Sequence, residues 1–137
     1  MKYLLLSMMI SIASFNASGR DSMVVVANLE DKSLTLSRQE VRNLFMGGAL
    51  PYDLTAVTLP PDNHIRVLFN TKVVGLTESR IQSYWAQMRF SGRKKPPMEL
   101  NNEATVLQYL LDNPGTVGYL SADMKLPVEL TVLFRSQ

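Results

Sequence analysis

TESRIQSYWAQMRFSGRKKPP, residues 77–97, carries the only Trp of the chain and its densest run of basic residues. Ile81, Tyr84, Trp85 and Met88 stand at i, i+3, i+4 and i+7, the spacing that gathers side chains on one face of an α-helix. Thr77 is suited to cap its start, Leu76 and Ile81 to staple it, and Glu78 to sit near the positive end of its dipole. Ser91-Gly92 ends the helix, and residues 93–97 (RKKPP) follow as an exposed basic loop. Tyr84 and Trp85 are expected in the core, and no catalytic pattern accompanies them.

Outward from this helix, strand and helix signals alternate. Residues 23–27 (MVVVA) read as a buried strand. Residues 37–45 read as a helix, with Ser37 and Glu40 as a capping box, Leu36 and Val41 as a staple, and Gly47-Gly48 as its stop. Residues 54–59 form a strand closed by Pro60-Pro61. Asp62 is expected to cap the next helix, which buries Ile65, Leu68 and Phe69 and ends at Gly75. Asn101 or Asn102 caps a fourth helix that turns Val106, Tyr109 and Leu110 inward and breaks at Asn113-Pro114-Gly115. Residues 116–120 and 128–134 give two further strands. This order implies an α/β chain with a mixed sheet and helices packed on it.

The first 19 residues have a different character. Lys2 precedes an apolar run over residues 3–12, and small residues follow up to Gly19. That layout is a signal peptide, cleaved before Arg20, which leaves one domain over residues 20–137 and predicts a periplasmic protein with no stable membrane insertion after processing. Of the 14 Lys+Arg only Lys2 falls before the cleavage point, so 13 face 12 Asp+Glu afterwards. A surface so close to neutral excludes nucleic-acid binding through bulk charge. The absence of Cys excludes disulfides and thiolate metal sites.

Catalytic chemistry finds no support. The single histidine, His64, lacks the strand–turn–helix context of a nucleophile elbow, and no His, Asp or Glu cluster has metal-ligand spacing. Gly47-Gly48 follows a helix, whereas phosphate-cradling glycines precede one. What remains is the start of the Asp62 helix. Its free N–H groups, with Asn63, His64 and Arg66, form the candidate anion-binding site, although the Asp62 carboxylate competes there. The basic residues Arg89, Arg93, Lys94 and Lys95 read as a solvated run.

Three stretches together carry a family resemblance: residues 36–47 (LSRQEVRNLFMG), 84–97 (YWAQMRFSGRKKPP) and 113–120 (NPGTVGYL). In this order the chain resembles the phosphate-type periplasmic substrate-binding proteins of ABC transporters, in a short form matching a single lobe. The resemblance implies one lobe of a type 2 periplasmic-binding-protein fold, with residues 23–27 entering it and residues 128–134 leaving it. It implies non-catalytic binding of phosphate or a similar oxyanion, no cofactor, and no enzyme activity. Full members carry Ser-Gly-Thr at the head of the ligand-facing helix, where this chain has Asp62-Asn63-His64. That departure supports an alternative, a protein-interaction or envelope-assembly module that has lost the ligand. A second copy or an envelope protein is then the expected partner covering the open face.

Overall fold

The protein is described by a computed structural model over residues 22–92 and 94–137. The expected signal peptide, its cleavage point and Arg93 of the basic run lie outside the described residues. Ten elements follow in chain order: β1 Met23–Ala27, α1 Arg38–Phe45, β2 Thr55–Thr58, α2 His64–Phe69, a π-helical turn Asn70–Val74, α3 Glu78–Phe90, β3 Met98–Glu99, α4 Glu103–Asp112, β4 Thr116–Ser121 and β5 Thr131–Arg135. The strands form one open mixed sheet in the order β3-β2-β4-β1-β5. β2 runs parallel to β3 and β4, and β1 runs antiparallel to β4 and β5.

The sheet is covered on both faces, and β4 shows why. Successive residues of a strand point to opposite sides. On one side, Tyr119 stacks on Phe69 of α2, with centroids 4.2 Å apart, and lies 5.7 Å from Phe45 of α1. On the other, a Cβ built on Gly118 would stand 2.7 Å from Val106 Cγ1 and 3.6 Å from Leu110 Cδ1 of α4. Every residue of β1 and of β4 is buried, as expected for strands packed on both faces.

Local signals place most helix ends. Ser37 and Glu40 form the reciprocal capping box of α1, Ser37 N donating to Glu40 Oε1 and Glu40 N to Ser37 Oγ. Thr77 caps α3, and Ile81 and Trp85 are buried while Tyr84 and Met88 are half-buried. Tyr84 donates its hydroxyl to Met46 O at 2.7 Å, and exposed Lys94 bonds the Gly47 carbonyl, so the basic loop is tied to the end of α1.

Three expectations are corrected, and one element is new. Asn63, not Asp62, caps α2: its Oδ1 accepts from Ile65 N at 2.8 Å. The helix does not run unbroken to Gly75 but widens into the π-helical turn, closed by Gly75 N on Asn70 O, and Gly75 takes φ 74°, a region open to glycine. The last strand begins at Thr131, because Leu130 N closes a turn on Pro127 O and leaves Val128 88 % exposed. The edge strand β3, two residues long, follows directly on Pro96-Pro97, which lack the N–H groups to extend the ladder.

Candidate functional site

β2 and β4 are parallel, so both end toward the start of α2. There Asn63 and His64 line an open depression with Ile65, Glu103, Ser121, Asp123 and Met124. Asn63 is half-buried and its carbonyl oxygen is occupied by the Ile65 N–H. His64 is exposed. Ser121 N donates to Glu103 Oε1 at 2.6 Å, and the Ser121 hydroxyl donates to Asp123 Oδ1. The lining of this depression therefore holds two carboxylates and neither Lys nor Arg. Such surroundings repel an anion and weaken whatever the helix start contributes.

Arg66 does not join Asn63 and His64. Its place on α2 turns it into the molecule, where it is 6 % exposed and lines a separate cleft beside Phe69, Asn70 and Trp85. Nε donates to Glu78 Oε1 at 2.8 Å and Nη2 to Glu78 Oε2 at 2.7 Å, a bidentate pair. Nη1 donates to Leu59 O at 2.7 Å and lies 3.5 Å from Glu99 Oε2. Arg66 thus stands apart from the other two residues expected to face an anion, with its charge paired to Glu78.

Glu78 is the centre of this network. Asn70 Nδ2 donates to Oε1 at 3.0 Å and Gln82 Nε2 to Oε2 at 2.7 Å. Burial opposes ionisation of the carboxyl. The hydrogen bonds from Arg66, Gln82 and Asn70, with the Arg66 charge, outweigh it and hold the carboxyl below its usual range. Nearby, burial pushes the Tyr119 hydroxyl up in pKa, partly offset by its bonds with Thr58 Oγ1 at 2.6 Å and Leu59 N at 3.2 Å. The polar strip that joins β2, α2 and α3 is therefore internally satisfied.

Sequence reasoning missed Glu78 as the partner of Arg66. One signal was present: Arg66, Phe69, Asn70 and Val73 fall at i, i+3, i+4 and i+7, a stripe with two polar members. A buried stripe that includes Arg demands a carboxylate, and Glu78 follows across the Gly75 turn. Among the described residues no group of three or more His, Cys, Asp or Glu could hold a metal ion, and no helix is long and apolar enough to cross a membrane.

No family model matches the chain, and no curated protein does. Among solved structures, the crystal structure of an ABC-type phosphate transport receptor from Vibrio cholerae is similar, with a TM-score of 0.59 at 15% sequence identity. The similarity covers 82% of this chain and 45% of that one, so the chain spans less than half the receptor's length. At such identity the likeness concerns the fold: an open mixed sheet flanked by helices, similar to one lobe of a periplasmic binding protein.

Proposed function

We propose that this chain acts as an exported, non-catalytic recognition lobe of the phosphate-receptor type, which contacts phosphate or a similar oxyanion weakly when alone. The observation that carries the reading is the fold, shared over 82% of the chain with part of a phosphate transport receptor. The contact falls at the start of α2, on Asn63 and His64, with Arg66 holding α2 in place through Glu78. A micromolar site needs about 8 kcal/mol net after association costs. One capped helix start beside Glu103 and Asp123 supplies far less. Titration calorimetry with phosphate and with sulfate should therefore give dissociation constants of about a millimolar or weaker. His64→Ala should weaken the residual binding further. Low-micromolar affinity in a monomer would overturn the weak-site reading.

A second reading, a protein-interaction or envelope-assembly module, is favoured by a specific observation: Glu78 has taken the one cation expected to face the ligand. Sedimentation of the purified protein, alone and with an envelope extract, separates the two. A strict monomer that co-sediments with nothing, yet binds phosphate, would exclude the second.

A further inference from the structure

Arg38, Arg42, Lys72 and Arg135 gather on one side of the fold, where α1, the π-helical turn and the end of β5 meet. Arg38, Thr71, Lys72, Phe134, Arg135 and Ser136 line an open depression of about 520 Å3 with Gln137. A second, of about 310 Å3, shares Arg38 and adds Arg42. Neither contains a carboxylate side chain, and among the described residues the ion pairs involve Arg66 alone. The nearest acid in sequence, Glu40, lies two positions from both Arg38 and Arg42, a spacing that does not face them, and it bonds Ser37 N at 3.0 Å.

These cations are placed against their local electrostatics. Arg38 is the first residue of α1, at the positive end of the helix dipole, where a cation is unfavourable. Arg38 and Arg42 are i, i+4, a like-charge spacing that is unfavourable in a helix. Arg42 is half-held, its Nε donating to Val74 O at 2.9 Å, which leaves its Nη groups for a partner.

We propose that this basic face docks an acidic, extended segment of another polypeptide along the end of β5. β5 is one of the two edge strands of the sheet; Leu36 N already bonds Leu133 O at 2.9 Å, so the added segment pairs with the backbone beyond Leu133, edge strands accepting added strands through their backbone groups. Lys72 Nζ already bonds a backbone oxygen in the depression, Gln137 O at 2.7 Å, which shows the kind of oxygen partner this face takes. Carboxylates on such a segment relieve the repulsion among the four cations. A bilayer fits less well, since none of the large exposed hydrophobics, Tyr52, Val67, Phe90, Met98 and Val128, lines either depression to anchor it. The proposal does not rest on the oxyanion reading, which concerns a different depression.

The test uses the purified protein and a fluorescein-labelled peptide of alternating Glu and Val, read by anisotropy. The peptide should bind, and binding should fall as salt rises. Arg38→Glu with Arg135→Glu should weaken it about tenfold or more, since two attractive pairs are lost and reversal adds repulsion. Arg38→Gln with Arg135→Gln should show the same direction with an unchanged melting temperature, which separates docking from misfolding. Lys95→Glu, on the loop before β3, should change it by less than about twofold. Amide exchange should show new protection in β5 on binding. Equal losses in the Lys95 variant, no protection in β5, or binding to phosphatidylglycerol vesicles or inorganic triphosphate in place of the peptide would each overturn the proposal. Phosphate calorimetry on the same variants reports separately on the start of α2.

Discussion

Arg66 and Trp85 show how single side chains set the stability of this lobe. Arg66 is nearly fully buried, and its guanidinium is satisfied by Glu78 and the Leu59 carbonyl. Breaking a buried pair from one side typically costs about 3–5 kcal/mol, and Glu78 keeps a side-chain exposure of 28%, which favours the lower end. Glu78→Gln should therefore lower stability by about 3 kcal/mol in urea unfolding at neutral pH. The pH dependence has a definite sign. The Glu78 carboxyl titrates lower in the folded protein than its ordinary value of 4.5, so its contribution is present above that value and is lost as pH falls through the folded pKa. The Glu78→Gln variant should lose this part of the acid limb, so its stability deficit shrinks toward low pH. A deficit that stayed constant with pH would place the stabilisation in packing instead. Trp85 is 4 % exposed, against the turn after α1. Its replacement by Ala should cost about 3–5 kcal/mol, and an unchanged melting temperature would show that the ring is not part of the core.

Elements are positioned by caps and by one close approach. Ser37→Ala removes the acceptor for the Glu40 N–H and half of the capping box, at a cost of about 1 kcal/mol. The crossing of α4 over β4 depends on Gly118. A methyl group there meets Val106 Cγ1 at 2.7 Å, closer than side chains approach. Gly118→Ala should destabilise by about 1–3 kcal/mol through overpacking. Adding Val106→Ala should recover part of that loss, because it removes the clashing methyl, and a purely additive double variant in chemical denaturation would contradict this packing account. The same logic explains why the NPGTVGYL stretch is legible as a unit: Gly115 turns, the following residues form the strand, and Gly118 admits the helix.

Taken whole, the described residues share one core. A single hydrophobic cluster runs from Met23 through Trp85 to Leu133, and β1 lies between β4 and β5 although these are distant in sequence. Both ends of the described chain meet in one place, Met23 N donating to Ser136 Oγ at 2.8 Å and Ser136 N to Met23 O at 3.0 Å. Unfolding should therefore be a single cooperative transition, with Trp85 fluorescence and far-UV circular dichroism coincident. Separate transitions would show that the α3 region melts on its own. The signal peptide expected over residues 1–19 is tested at this scale too. The mature protein should have an intact mass beginning at Arg20, and a full-length membrane-bound form would rule out cleavage.

Local chemistry determined the elements. The period of Ile81, Tyr84, Trp85 and Met88, the capping box at Ser37 and Glu40, and the β-branched run before Ala27 each act within a few residues, so they are readable in order along the chain. The anion-facing site was read from the same kind of signal, a helix start with Asn63, His64 and Arg66 in sequence. Tertiary structure divided it. Successive helix positions point about 100° apart, so Arg66 turns inward while His64 stays in solvent, and Glu78, twelve residues on, takes the guanidinium. The carboxylates beside His64 come from α4 and the turn after β4, far along the chain. Periodicity says that a face is buried, but only the packed fold decides which charges meet across it, because that depends on which elements become neighbours.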